Sequence, residues 1–258
     1  MKTVSSLLCL FLLSLAGSHA QEAQAGAANG EAPAAPFPEV QVEFETEAAE
    51  EARQRFLEKD EETQAEFAGH LQRSRELLSQ QRIQEALLAI NEAEAIWPEH
   101  PDVLNLKGAC LVNLRDFDRA AELFAKSLEL YPGFWQTRFN LAEMYFVRER
   151  FKESLEMFSG LLEGETEFDG ATQRLIQYKV ILNLIKLGEA EQAAELIAQY
   201  DIYDDTPIFY YSTAAVHFEA GERREAEEWV QRARQIYQRH LVNLFEDSLV
   251  ELGWLFVL

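Results

Sequence analysis

Histidine, cysteine and acidic side chains are the residues of this sequence that could do chemistry, and their spacing is the first test of a catalytic or metal-binding role. The four histidines beyond residue 20 lie in four different places, and no two of them share a helix face: His70, His100, His217 and His240. A zinc site of the H-E-x-x-H type needs two histidines four residues apart. That spacing, a glycine-rich phosphate loop and a G-x-S-x-G motif are all absent from the sequence. We therefore predict that the protein is not an enzyme and holds no metal or cofactor.

The segment QYDIYDDTP could suggest a calcium loop, because it contains Asp201, Asp204 and Asp205. Calcium loops place their oxygen ligands at fixed positions, and this spacing does not match them. An acid shortly before a proline is typical of a helix start, where its side chain accepts a backbone N–H bond. We therefore interpret the segment as a helix cap ahead of Thr206 and Pro207.

Net charge limits the classes of partner. The chain carries a formal charge of −22, and residues 1–20 contain one Lys and no acid, so a chain without them carries −23. Such a charge repels nucleic acid and anionic lipid, and no later stretch gathers enough Lys and Arg to offset it. The sequence therefore excludes nucleic-acid binding. Much of the acidic excess precedes Arg53, as in a solvated tether or, less commonly, a docking tail.

The elements that would position a site emerge from the stretch Pro101–Pro132. It carries small and large apolar residues at regular spacing: Leu104, Gly108, Leu111, Ala120, Phe124 and Pro132. Small residues such as Gly108 and Ala120 let two helices cross closely, and the large ones fill the space between them. Proline ends the second helix because it has no N–H to continue the ladder. This unit resembles the tetratricopeptide repeat (TPR), a helix–turn–helix of about 34 residues.

The small residue at the helix crossing recurs along the chain as Ala86, Ala120, Ser154, Ala193 and Ala226. The intervals of 34, 34, 39 and 33 residues define five units, over residues 67–100, 101–134, 135–168, 174–206 and 207–240. The chain thus resembles the TPR family over about two-thirds of its length. The resemblance implies an all-α fold, a right-handed TPR solenoid of about five helix–turn–helix repeats.

Residues 1–20 have the form of a secretory signal peptide. Lys2 is followed by the apolar run Leu7–Leu15, which is too short to span a bilayer, and then by small residues that end at Ala20. We expect cleavage after Ala20, no membrane insertion of the mature chain, and export. The signal and the resemblance favour a bacterial periplasm, with an extracellular destination as the alternative. One cysteine then remains, and we expect Cys110 to be a small buried apolar group.

Two segments flank the repeats. Residues 21–45 are rich in Ala, Gly, Pro and Glu and predict a disordered tether, whereas residues 46–66 predict a helix that either runs into the first unit or breaks just before it. Residues 241–258 predict a helix that caps the fifth unit. The apolar ending Trp254–Leu258 either folds back on the stack or forms a contact surface, including one between two copies of the chain.

The resemblance also implies a binding surface. In this family the first helix of each pair lines the concave side of the solenoid, where partners bind as extended peptides or helices. Carried over to this chain, the partner-binding positions are Asn105, Phe139, Glu143, Phe146, Tyr178, Leu182, Tyr211 and Phe218. Two interpretations stay open. The stripe is either an apolar groove for a partner's helix or strand, or it is buried against neighbouring repeats or the terminal helix.

The function implied by the resemblance is a non-catalytic protein–protein interaction scaffold, which the signal peptide would place in the cell envelope. Two other functions fit the same sequence. One is a regulatory or accessory subunit of an envelope enzyme or of a secretion or assembly complex. The other is a self-assembling structural protein of the envelope.

Overall fold

The computed structural model describes residues 46–164 and 166–256. These residues form twelve helices and no strand, which confirms the predicted all-α class. In chain order the helices are α1 (Glu47–Leu57), α2 (Glu61–Ser79), α3 (Ile83–Ile96), α4 (Pro101–Asn113), α5 (Phe117–Leu130), α6 (Trp135–Val147), α7 (Phe151–Glu163), α8 (Gly170–Leu187), α9 (Ala190–Ile197), α10 (Ile208–Glu219), α11 (Arg223–Ile236) and α12 (Arg239–Glu251). The predicted signal peptide and tether lie outside the described residues.

The described chain divides into two compact units between Asn140 and Leu141, inside α6. In the N-terminal unit α2 pairs with α3 and α4 with α5. In the C-terminal unit α7 packs against α8, α8 against α9, and α10 against α11. Helix pairs of this kind are the local product of the repeat pattern, because each pair buries the apolar stripes of its two helices against each other.

One type of turn ends the helices α2, α4, α6, α8, α10 and α12. Just beyond each helix, one residue has a positive φ between 58° and 80°: Gln81, Arg115, Glu149, Gly188, Gly221 and Gly253. The N–H of the next residue donates back into the helix, as from Asp116 to the carbonyl of Leu111 and from Trp254 to that of Leu249, both at 2.9 Å. This is the Schellman ending of a helix. Helix α12 therefore ends with the same turn as the first helices of the pairs.

Close packing holds α4 against α5. A Cβ atom built on Gly108 would lie 2.5 Å from Cε1 of Phe124, a distance that real structures do not show. Ala120 and Phe124 are completely buried at the same pair. The structure thus confirms that the helices cross closely enough to require the small residues that the sequence predicted.

A buried polar network ties α4 and α5 to the start of α6. The Oδ1 atom of Asn105 accepts hydrogen bonds from Asn140 at 2.9 Å and from Thr137 at 3.3 Å. The hydroxyl of Thr137 also lies 2.9 Å from that of Ser127. Because these side chains satisfy one another away from water, the network favours a single arrangement of the three helices.

The helix ahead of the repeats is separate from the first repeat. It ends at Leu57, and α2 begins at Glu61 with Asp60 as its cap, where Oδ1 of Asp60 accepts from the N–H of Thr63 at 2.9 Å. The first helix of the first pair therefore starts six residues earlier than position 67. The break matches one of the two alternatives that the sequence left open.

Helix α1 docks onto the turns that follow the second helices. The N–H of Thr46 donates to the carbonyl of Leu130 at 3.1 Å, and Ala49 packs against Tyr131 and Phe134. At its other end the ring of Phe56 stacks on Trp97, with 4.5 Å between centroids. Helix α1 therefore contacts the ends of two successive repeats.

The acidic loop before α10 does not act as the predicted helix cap. Helix α10 starts at Ile208 after Pro207 with no side-chain cap. Asp204 instead braces the turn itself: its Oδ1 atom accepts from the backbone and hydroxyl of Thr206 at 3.0 and 2.9 Å, and its Oδ2 atom accepts from Arg174 at 3.0 Å. The prediction was wrong because the turn lies between the acid and the helix start.

Candidate interaction surface

The eight side chains predicted to bind a partner are all buried. Each of them exposes at most 7% of its surface: Asn105, Phe139, Glu143, Phe146, Tyr178, Leu182, Tyr211 and Phe218. The expectation that they form an open groove is therefore wrong in this structure. The alternative, burial against neighbouring repeats and the terminal helix, describes their packing, and a role for them in partner binding stays a prediction.

Helix α12 covers the rings of α8 and α10. The ring of Phe245 lies 4.9 Å from that of Tyr178 and 5.8 Å from that of Tyr211, measured between centroids. The hydroxyl of Tyr178 donates to the carbonyl of Phe245 at 3.2 Å. One aromatic residue of the terminal helix thus fills the space that the sequence assigned to a partner.

A second anchor joins α12 to α10 and α11. The hydroxyl of Tyr211 donates to Oε1 of Glu246 at 2.6 Å, and Arg234 donates to both carboxylate oxygens of Glu246 at 2.6 and 3.0 Å. Burial and the neighbouring Glu246 charge raise the pKa of Tyr211 far above its ordinary value, so the phenol stays a hydrogen-bond donor. A bidentate Arg–carboxylate contact also fixes the orientation of the helix.

A buried ion pair lies on the inner side of α8. Nζ of Lys179 is 2.7 Å from Oε1 of Glu143, both side chains are almost fully buried, and the ammonium lies 5.2 Å from the centroid of Phe146. Nearby on α12, burial raises the pKa of Asp247 to about 8; Lys179 opposes this shift, and Glu143 and other carboxylates reinforce it. Asp247 is therefore mostly protonated at neutral pH.

The apolar segment after α12 folds back in part. Trp254 stacks on Phe218 with 5.7 Å between centroids and 14° between planes, and Leu255 is buried. Phe256 remains 69% exposed, with the guanidinium of Arg223 5.4 Å from its ring centroid. Val257 and Leu258 lie outside the described residues. The folded-back alternative thus fits Trp254 and Leu255.

An open groove of about 540 Å³ runs between α11 and this segment. Its lining contains charged residues of both signs together with two apolar residues of the segment: Arg223, Arg224, Glu227, Glu228, Arg232, Arg234, Leu255 and Phe256. Sequence reasoning missed this groove, although Gly253 after an apolar helical stripe was a signal that the chain turns after α12. At this groove the exposed ring of Phe256 adjoins a concave surface.

The N-terminal unit contains a buried aromatic cluster. Phe67, Trp97 and His100 pack edge to face or tilted, with centroids 4.5 to 5.7 Å apart. Burial lowers the pKa of His100 to about 4, and its Nδ1 atom accepts from the N–H of Asp102 at 3.1 Å. This histidine is neutral at physiological pH and caps α4.

Residues 46–164 and 166–256 contain neither a candidate metal site nor a candidate membrane-spanning helix. No group of three or more His, Cys, Asp or Glu side chains is arranged to hold a metal ion. No helix in this part of the chain is both long enough and apolar enough to cross a membrane.

The helix pairs, their shared turn and their small-residue crossings define an all-α helical-repeat protein. Family profiles described as "Tetratricopeptide repeat" match residues 71–133, 111–169 and 213–247. The chain belongs to the tetratricopeptide repeat family and has the TPR solenoid fold. Proteins of this family generally mediate protein–protein interaction and are generally non-catalytic scaffolds.

Solved structures show the same fold. A tetratricopeptide repeat protein from Parabacteroides merdae ATCC 43184 is 17% identical, with a TM-score of 0.54 over 71% of each chain. The pilF protein of Pseudomonas aeruginosa is 14% identical, with a TM-score of 0.55 over 75% of this chain and 90% of that one. At these identities the likeness concerns the fold alone. No curated protein matches the sequence.

Proposed function

We propose that this protein is an exported, non-catalytic scaffold of the cell envelope that binds a protein partner through the C-terminal unit. The observation that carries the proposal is the groove beside α11, where the exposed ring of Phe256 adjoins a concave surface of about 540 Å³. A large exposed aromatic ring beside a concavity is the usual anchor of a protein interface. The rings of Tyr178 and Tyr211, which the sequence assigned to the groove, pack against Phe245 and make the unit more rigid.

Partner recovery tests this function. The chain from Gln21 to Leu258, tagged at its N-terminus, is used to recover partners from the envelope fraction of its own cells. We expect one protein to be enriched with the unmodified chain and lost with Phe256→Asp. Leu88→Asp is the matched control, because Leu88 is also an exposed apolar residue but lies on α3. Enrichment that is the same with both variants would contradict the proposed surface.

The two other functions are separated by the same recovery. A self-assembling structural protein would recover only differently tagged copies of itself. An accessory subunit would recover a partner that brings an enzymatic activity with it. The exposed Phe256 is compatible with association of two copies, and that association stays a prediction.

A further inference from the structure

The junction between α11 and α12 differs in sequence from the junctions that join the earlier helix pairs. Each of those four junctions contains a proline or a glycine that interrupts the helix: Pro98, Pro132, Gly164 and Pro207. Between Gly221 and Gly253, by contrast, the chain contains neither residue type. Proline and glycine are the residues that disfavour a helix interior most. The sequence of α11, the junction and α12 is therefore compatible with one continuous helix.

The bend between the two helices consists of two residues. Tyr237 and Gln238 separate α11 from α12, and both are extended, with φ and ψ of −102° and 154° and of −66° and 144°. Helical hydrogen bonds reach this bend from both sides. The N–H of Tyr237 donates to the carbonyl of Ala233 at 2.9 Å, and that of Val242 donates to the carbonyl of Gln238 at 3.1 Å. A change of the backbone at two residues would thus join α11 and α12 into one helix.

The start of α12 would gain from such a join. No side chain caps α12, whereas Asp60, His100 and Asp169 cap α2, α4 and α8. The first four N–H groups of a helix have no carbonyl partner within that helix. In a continuous helix, the N–H groups of residues 238–241 donate to the carbonyls of residues 234–237. Backbone hydrogen bonding therefore favours the straight form, and the side-chain contacts of α12 favour the bent one.

The contacts of α12 with the inner surface of α8 and α10 do not depend on which copy of the chain supplies the helix. Phe245 packs on Tyr178 and Tyr211, and Glu246 accepts from Tyr211 and Arg234. Straightening in one chain alone would expose these rings to water. A second copy would restore every contact, because it supplies the same side chains. Exchange of an identical element is a low-cost route to a dimer, and a short hinge loop favours it.

We infer that two copies of this chain associate by exchanging α12, with α11 and α12 of each copy joined into one helix. The inner surface of α8 and α10 then binds α12 of the second copy, which supplies Phe245 and Glu246. This association needs no other protein and no contact made by Phe256. It therefore goes beyond the proposed function and is tested apart from it.

Reversed charges at the contact between Arg234 and Glu246 test the exchange in the chain from Gln21 to Leu258. In Arg234→Glu two carboxylates repel each other within one chain, and in Glu246→Arg two guanidinium groups do so. When the two variants are mixed, α12 of each meets the opposite charge only on the other chain. After joint refolding from urea, we expect a one-to-one heterodimer in sedimentation and native mass spectrometry. It should exceed the dimer of either variant alone by about tenfold or more.

Substitutions at the exposed Gln238 test the hinge without changing the inner surface. Proline fits the bend, because Gln238 has a φ of −66° and follows the extended Tyr237. Proline also prevents a continuous helix through this position. Gln238→Pro should keep the folded monomer and weaken dimerisation by about a hundredfold or more, since both hinges of a dimer carry it. Gln238→Ala favours the helix and should increase the dimer fraction of the refolded chain.

Three results would overturn the inference. The first is a mixture of the two charge variants in which no heterodimer forms. The second is a dimer that persists unchanged in Gln238→Pro, since another surface would then hold the two copies together. The third is a refolded chain that is monomeric both unmodified and with Gln238→Ala. None of these results bears on partner recovery through the groove, which Phe256→Asp decides separately.

Discussion

Gly108 provides the most sensitive test of packing at the scale of single residues. Its replacement by Ala would place a Cβ atom 2.5 Å from the ring of Phe124, so the α4–α5 crossing would have to open. We expect Gly108→Ala to lower the free energy of unfolding by about 1–3 kcal/mol, as overpacked cores do. Thermal and urea unfolding of the purified chain measure it.

Gly69 is the matched control for this change. It lies in α2, and a Cβ atom there would meet nothing within 4 Å. Gly69→Ala should therefore stabilise the protein by about 0.5–1 kcal/mol through helix propensity alone. Equal effects of the two substitutions would show that the helices do not cross as closely as described.

Asp247 links the stability of the C-terminal unit to pH. Its pKa rises from 3.8 to about 8 in the folded chain, so the folded state holds a proton that the unfolded state releases. The resulting stabilisation is complete below about pH 4 and is lost as the pH rises to about 8. Asp247→Asn keeps a neutral side chain at all pH values and should exceed the unmodified protein in stability by at least about 1 kcal/mol at pH 8.

Unfolding measured at pH 5 and pH 8 tests this linkage. The difference between Asp247→Asn and the unmodified chain should grow toward pH 8. Asp118→Asn removes an exposed carboxyl from α5 and should show no such growth. A difference for Asp247→Asn that is constant with pH would mean that this carboxyl is solvated and ionised in the folded state.

At the scale of elements, α12 stabilises the C-terminal unit by covering it. A solenoid needs a terminal element because each repeat leaves an apolar face for the next one. Helix α12 meets this need with Phe245 between the rings of Tyr178 and Tyr211. Helix α1 has a different position, because in the N-terminal unit it packs on the turns after two second helices, where Ala49 contacts Tyr131 and Phe134.

Phe245→Ala tests the anchoring of α12. Removal of this buried ring should lower the free energy of unfolding by about 3–5 kcal/mol and should speed amide hydrogen exchange in α12. Asn243→Ala, at an exposed position of the same helix, should change the free energy of unfolding by no more than about 0.5 kcal/mol. It should leave amide hydrogen exchange in α12 unchanged. Similar exchange in the two variants would show that Phe245 does not hold the helix.

At the scale of the whole molecule, the N-terminal segment predicts the compartment of the protein. We expect the mature chain to begin at Gln21, because the apolar run Leu7–Leu15 is short and Ala20 offers a small residue for cleavage. Mass spectrometry of the protein isolated from its own cells gives the terminus directly. An intact Met1 in the membrane fraction would contradict export as a cleaved protein.

The sequence determined the repeat units on its own, because their signals are local. The spacing of Gly108, Ala120 and Phe124 reports how closely two consecutive helices cross, and neighbours in sequence are neighbours in space within a pair. The small residues of the other units recur at intervals of 33 to 39 residues. The helical class and the family could therefore be predicted.

Only the tertiary structure decided which apolar faces stay open. Tyr178 and Tyr211 occupy inner positions whether or not something covers them, and the sequence left both alternatives open. Their cover, Phe245, lies 67 residues from Tyr178 along the chain, as the hydrogen bond between these two residues records. The sequence predicted a helix that caps the fifth unit, but the contact of α12 with Tyr178 of the fourth unit is set by the summed packing of the folded unit. The groove beside α11 exists for the same reason, because it depends on where the segment after Gly253 comes to rest.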